Sequence, residues 1–475
     1  MLMLSLSAQA QLGRRFPSER KVIKDPVTGV ELVFLTSQQG VGNAKPYQTH
    51  NQGTCDGTWV IFTSAQRVQG EALLVNEETG DIVQITEGGY NGMLNLSRKE
   101  MKLYISRPHY DKETRKQLDK YNKEVAALRR QMQAAGQQPG QRQQFQTKTP
   151  RPVVGNEFVA IDLAAILADS EAGKMKKVSE YETVLGVTPV EWGGGTLAAL
   201  DGDEKIAFFT VGREYAASQA GDMVMEKTFG PRNMGAGPSG LAYMDLTNGE
   251  CHYIRTIPFQ VGHVQGNPWH AKEVIFCWET GGKAPTRVWA MNADGSDYRP
   301  VYKEASHDWV THEAVITEDE IVIAVLGHRP ISETQEASDN TGDPANPGQE
   351  LSWGYSGTRE YATGIATVNL RTREFILEGQ IPFGSGFWHV AGSVDGNWVA
   401  GDDIARNIYL VDRHTHELIH LSAGHKDTAS DHPHPTFKPD GTAIEIQSAM
   451  LQEDGRSRDI CIIKMPQYLL DRYKK

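Results

Sequence analysis

Cysteine is scarce, with Cys55, Cys251, Cys277 and Cys461 alone in 475 residues and no C-x-x-C pair among them. That spacing excludes a disulfide-built framework and the thiolate sites of zinc ribbons, and free, buried thiols are expected. Long apolar runs are missing as well. No stretch approaches the roughly 18 residues of a membrane-spanning helix, so no span is expected. Positive charge is in deficit: 48 Lys and Arg against 60 Asp and Glu leave a formal net charge of −12. Without a clustered basic face, nucleic acid is not an expected partner. An acidic protein can still take an acidic substrate if arginines or a bound metal supply local positive charge. Zinc-protease and zinc-finger motifs are absent.

What the chain has in quantity is short runs of Val, Ile, Tyr and Phe bounded by Gly and Asp, the signal of many strands. These runs repeat as quartets. Second strands are expected at 58–64, 102–106, 205–211, 273–279, 320–326, 398–402 and 443–448. Third strands are expected at 71–76, 157–162, 240–245, 287–292, 364–369, 407–411 and 459–463. Fourth strands follow turns such as Thr79-Gly80, Asn248-Gly249 and Asp294-Gly295. Seven such units predict an all-β chain, a seven-bladed β-propeller forming a single domain over 25–470. The seventh unit ends near Pro466 without a fourth strand, while 31–36 is a spare strand. Pairing it into the last blade closes the ring and removes an exposed edge.

Three inserts interrupt the blades. Residues 111–151 open with a charged helical stretch, 111–134, and continue in low-complexity Gln, Gly and Pro. Residues 214–238 and 331–358 are Gly-, Asn- and Pro-rich loops of the kind that shape clefts on rigid scaffolds. Residues 1–10, MLMLSLSAQA, end in an A-x-A pattern. They read as the remnant of a signal peptide, which implies export to a bacterial periplasm.

Aligning the units on the turn after the first strand puts histidine six positions before it in five blades: His50, His263, His312, His389 and His434. Met93 and Gly195 stand there in blades two and three. Histidine fills only 15 of 475 positions, so this phase is not chance. First strands are innermost in a propeller, and one repeat position therefore becomes one ring around the channel. A ring of unpartnered imidazoles is costly, and a bound metal or anion would account for it. In His432-Pro433-His434, alternate residues on a strand face one side, so both imidazoles can reach one ion. His312 comes from an adjacent part of the ring. Imidazoles with few carboxylates suit Mn, Fe, Co, Ni, Cu or Zn better than Ca or Mg.

Several pieces of the chain resemble the oligogalacturonate lyases. They are Gly262-His263 through Pro268, the run from Arg287 to Ser296, Thr311-His312-Glu313, His432-Pro433-His434-Pro435-Thr436-Phe437 with Pro439-Asp440, and the stretches Asp25 to Ser37 and Asp459 to Tyr468. Coverage is good from Gly262 onward and thin between Asp111 and Gly240. The resemblance implies a seven-bladed propeller and Mn(2+)-dependent β-elimination on short uronate oligosaccharides. Metal ligands would fall on His312, His432 and His434, and the base on His263. The family's fourth ligand, a Gln three residues before His-Pro-His, falls on Ala429, leaving water, Asp431 or His389 to complete the shell. A family arginine that contacts substrate falls near Gly240, so Arg213 or Arg232 would replace it. His50, Gln265 and His389 complete the expected substrate-binding set. Two other readings stand beside the lyase: a non-catalytic glycan- or protein-binding propeller, and a glycoside hydrolase. The hydrolase needs a carboxylate pair flanking the bond, and Glu313 and Asp431, near the ring, do not make a convincing one.

Overall fold

A computed structural model describes residues 11–134, 146–228, 233–282, 284–305, 308–327, 363–381 and 386–474. The β-branched runs form strands close to their expected places. Ala443–Ser448 and Gly364–Asn369 have the expected bounds, and Glu273–Trp278 and Trp398–Asp403 differ by one residue. The strands pair antiparallel in seven sheets, one per blade, making a seven-bladed all-β propeller. Blades two to six begin with the inner strands Asn91–Leu96, Leu197–Leu200, Val261–Gly266, Asp308–Thr317 and Phe387–Gly392. Apolar side chains fill the wedges between blades. Ile275, Val288 and Ala290 of blade four pack with Val310, Ile321 and Ile323 of blade five, all essentially buried. Burial on both faces is why the middle strands read as unbroken apolar runs.

The ring closes as the spare strand suggests. Glu31–Phe34 pairs antiparallel with Asp459–Lys464, setting Phe34 opposite Cys461 and Leu32 opposite Ile463. The N-terminal chain does more than expected. Lys21–Lys24 adds a fifth strand outside it, and Arg15–Phe16 pairs with Ile82–Gln84 at the outer edge of blade one. Blade one in turn has almost no inner strand. Only two bridges, Ala44 to Thr63 and Gly53 to Val60, mark it, and the residues between them loop out.

This seam carries an ionisable group. Asp459 accepts hydrogen bonds from Gln452 Nε2 (2.9 and 3.0 Å) and from Thr36 Oγ1 (3.3 Å). Burial pushes its carboxyl up to about 7, from an ordinary 3.8. The folded value lies above the unfolded one, so the group's contribution is fully present below about pH 3.8 and is lost as pH rises through about 7. Asp459→Asn, which cannot ionise, is expected to melt above the parent at about pH 8, by an amount on the order of a few kcal/mol, with the difference fading toward about pH 4. Thermal melts at the two pH values check this.

The charged stretch of the first insert is the helix Lys112–Ala134, with no buried residue. A second helix, Leu163–Ala172, has no counterpart in the strand pattern. Asp162 caps its start by accepting from Ala165 N, and Gly173 ends it at φ 63°. Residues 1–10, the Gln-rich 135–145, the whole insert 331–358 and Arg232 lie outside the described residues. The four cysteines are free; Cys277 and Cys461 are buried as expected, whereas Cys251 is only partly buried and Cys55 is exposed. No helix among the described residues is long and apolar enough to cross a membrane.

Candidate active site

The inner strands share an irregularity. Register shifts fall between Asn91 and Asn95, Leu197 and Ala199, Gly262 and Gln265, Val310 and His312, and Phe387 and Val390. A bulge leaves residues out of the ladder and re-aims their side chains. His263 and His389 sit inside such shifts and His312 at the edge of one. His263 adopts φ 45° and His434 φ 53°, left-handed backbone that is uncommon outside glycine and concentrates at functional sites. His432-Pro433-His434 lies ahead of the strand Thr436–Phe437 and outside its ladder, anchored where Gln447 N donates to Pro433 O (2.9 Å). The two-residue alternation of a strand therefore does not orient this pair. Pro433, which lacks an N–H, and the left-handed turn at His434 do so instead.

Four of the five in-phase histidines touch in blade order. Ring centroids lie 5.8 Å apart for His263 and His312, 4.3 Å for His312 and His389, and 3.8 Å for His389 and His434. Tyr47, from the looped-out segment of blade one, closes the circuit at 5.2 Å from His434 and 5.0 Å from His263. His432 stands 5.2 Å from His389, beside Trp388. His50 is elsewhere. Its Nδ1 meets Thr49 Oγ1 (2.9 Å) and its Nε2 meets Ala198 O (2.7 Å), tying blade one to blade three. Gln265 is likewise fastened to blade five, through Glu313 O (3.4 Å) and Val315 N (3.1 Å). Arg213 starts the short helix Arg213–Ser218, is exposed, and donates to Gly237 O.

Asp402, fully buried on the second strand of blade six, organises one half of the cluster. It accepts from His389 N (2.6 Å), and both its oxygens lie 3.2 Å from His389 Nδ1. His432 Nδ1 lies 3.3 Å from Oδ2. The ligand atoms of His389, Asp402 and His432 all fall within 4.8 Å of one another. His434 adds contacts to Gln48 Oε1 (2.9 Å) and Asp431 Oδ1 (3.2 Å). Burial holds His389 down at about 4, and holds His312 well below the usual imidazole range with help from His389 and Arg287. Burial alone would raise the Asp402 carboxyl, but His389 and His432 hold it well below the ordinary range. Neutral imidazoles around an ionised carboxylate are the protonation states that metal ligation needs. The Nδ1 atom of His312 is buried with no hydrogen-bond partner, and that of His432 faces only the Asp402 carboxylate, at 3.3 Å. Orphans of that kind are expensive without an ion or another ligand. The donor set therefore fits a divalent transition metal.

The other half centres on His263. Its Nδ1 meets Glu313 Oε1 at 2.8 Å, and its Nε2 lies 3.7 Å from Glu279 Oε2. Arg287 is buried, donates to Glu313 Oε2 (3.0 Å) and lies 3.6 Å from Glu279. Burial pushes the Glu313 carboxyl up, but Arg287 and His263 outweigh it and hold it below the ordinary value. Tyr47 keeps its phenolic proton, its pKa raised by burial and by Glu313. Glu313 had been placed near the ring from sequence. No repeat position or motif in the sequence marks Tyr47, Glu279, Trp388 or Asp402 as a site residue, and Arg287 stands out only as the start of a matching run. Arg287 and Asp402 carry one faint signal: each is a charge at the margin of an apolar strand, and charges are rarely buried unless paired.

The molecule is thus a propeller whose channel gathers a carboxylate-anchored imidazole beside a metal-competent His and Asp set. No family model matches the chain, and no curated protein matches it. Among solved structures, an oligogalacturonate lyase in complex with manganese is 17% identical with TM-score 0.62, covering 97% of this chain and 100% of that one. A second oligogalacturonate lyase, from Vibrio parahaemolyticus, is 17% identical with TM-score 0.62, covering 96% of this chain and 100% of its own. The propeller fold of these lyases is shared across nearly the whole chain.

Proposed function

We propose that the protein is a carbon–oxygen lyase that cleaves uronate-containing oligosaccharides by metal-assisted β-elimination. One observation carries the reading: a Glu-anchored histidine, His263, stands next to a separate His and Asp cluster in the same channel. The fold shared with two oligogalacturonate lyases, one of them holding manganese, supports it.

The site residues divide the work. His312, His432 and His434, with His389 and Asp402, would hold the metal, Mn(2+) by preference. When bound, it supplies positive charge to the uronate carboxylate as negative charge develops there. Glu313 accepts from His263 Nδ1–H and so fixes the tautomer with a bare lone pair on Nε2. That lone pair takes the C5 proton. The C5 electron pair forms the C4–C5 double bond, the C4–O4 bond breaks, and the leaving sugar carries O4 away to be protonated. Arg287 offsets the charge of Glu313 beside an anionic substrate. Arg213 or Arg232, in the insert-bearing third blade, would meet a substrate carboxylate. The hydrolase reading loses ground, because both oxygens of Glu313 are already taken by His263 and Arg287. The A-x-A pattern of residues 8–10 supports export to the periplasm.

The test is ultraviolet absorbance of the unsaturated product while purified protein, with Mn(2+) or with chelator, meets a panel of uronate oligosaccharides. A metal-dependent rise is expected. A flat trace on every uronide, with metal bound, would return the protein to the binding-propeller reading.

A further inference from the structure

A second donor set lies against His263. Cys277 and Glu279 are two residues apart at the end of the second strand of blade four, and Gly262 stands opposite Cys277 in the ladder. A Cβ at Gly262 would come within 2.9 Å of Glu279 Cβ and 3.2 Å of Cys277 Sγ, so the absent side chain leaves the space these two enter. Glu279 Oε2 lies 3.7 Å from His263 Nε2 and 3.8 Å from Cys277 Sγ, and all three ligand atoms are within 4.8 Å of one another.

The His263–Glu279 separation is long for a hydrogen bond, and the Cys277 thiol donates to Glu279 only near the long limit for sulfur; both separations also fit donors arranged about a common ion. Ligands about 2.0–2.3 Å from a tetrahedral centre stand roughly 3.3–3.8 Å apart. The carboxylate is held in place: Glu279 Oε1 accepts from Gly281 N at 2.9 Å. Arg287 also stands 3.6 Å from Glu279 Oε2, but its shorter bond, at 3.0 Å, is to Glu313. Cys277 is buried, whereas His263 and Glu279 are about a fifth exposed, so an ion has a way in.

We propose that His263 Nε2, Cys277 Sγ and Glu279 Oε2 form a second metal site, selective for thiophilic divalent cations of the Zn(2+) class, whose occupation switches the enzyme off. Water completes the tetrahedron. Binding is a ligand exchange without redox: the Cys277 thiol releases its proton to solvent as the metal–sulfur bond forms, and His263 gives its Nε2 lone pair. A thiolate sorts the two sites by softness, since Mn(2+) prefers the nitrogen and oxygen donors around Asp402. The switching clause rests on His263 being the base; the binding clause does not.

The experiment titrates Co(2+), a spectroscopic stand-in for Zn(2+), into the full chain preloaded with Mn(2+), and reads the thiolate-to-cobalt charge-transfer band. One equivalent is expected, displaced by Zn(2+). Cys277→Ser should abolish the band, and Glu279→Gln should weaken binding roughly 10- to 100-fold, while Cys55→Ser leaves it unchanged. Glu279 is partly exposed, so its variant decides the matter even if Cys277→Ser fails to fold. No band, or a band that survives Cys277→Ser, overturns the site. In the activity arm, Zn(2+) should stop elimination, and Cys277→Ser should raise the half-inhibiting concentration roughly 10- to 100-fold. Turnover that continues with Zn(2+) bound overturns the switch. If no uronide is turned over at all, the lyase reading has failed, and the cobalt band still decides whether the site exists.

Discussion

His263→Ala lowers kcat on the best uronide by about 10²–10⁴-fold, with a much smaller change in KM. The expectation follows from what the imidazole touches. Its Nδ1 is engaged by a fully buried glutamate, which leaves only Nε2 toward substrate. Loss of a group that acts at the proton transfer appears in kcat, whereas loss of uniform binding would appear in KM. Glu313→Gln provides the companion measurement. An amide accepts more weakly and takes away the closer of the two anions beside Arg287, so this variant should lose activity while still binding metal. Initial rates of double-bond formation on both variants, with metal content checked, test the assignment. A His263→Ala enzyme as fast as the parent would remove this residue from the chemistry.

Asp402→Asn has the second large effect, on the metal. The carboxylate faces His389 and His432 at 3.2–3.3 Å. The amide keeps an acceptor for His389 N but loses the negative charge, and it turns an N–H toward an imidazole. Affinity for Mn(2+) should fall by at least about 10–100-fold, and elimination should fail at metal concentrations that saturate the parent. Calorimetric titration of the apo protein with Mn(2+) gives the number directly. Unchanged affinity would locate the metal away from Asp402. His434→Ala separates the two sides of the cluster: His434 contacts Asp431 and Gln48 and stacks on His389, so its loss weakens the site without removing Asp402.

Much of the fold was legible because a propeller repeats itself. Strand quartets punctuated by Gly and Asp turns give the blade count, and a spare apolar run at 31–36 gives the closure. The histidine phase was legible for the same reason, and four of its five members do meet. His50 departs because blade one lacks a continuous inner strand, so the repeat position there does not point where it does in blades four to seven. Tyr47 takes the vacated place from three residues upstream, off the register that any alignment would follow. The bulges were hidden too, since a shifted ladder leaves no mark in composition. Asp402 and Arg287 matter through partners on neighbouring strands and blades, which no spacing along the chain encodes. The helix Leu163–Ala172 reads locally as another apolar run, and only its Asp162 and Gly173 caps distinguish it.

The closing strand has a consequence in time. Thr36 and its partner Asp459 are 423 positions apart, so the segment that seals the ring leaves the ribosome long before its mate. Until then Glu31–Phe34 has only Lys21–Lys24 beside it and an open edge on the other side, and loop closure on that scale is slow and exposed to misassociation. Blades two to six can condense as they emerge, but the circle stays open until Asp459–Lys464 has been made. The nascent chain therefore spends its longest vulnerable interval with one strand waiting. A circular permutant that joins the two ends and opens elsewhere would shorten that wait without changing a single contact in the finished channel.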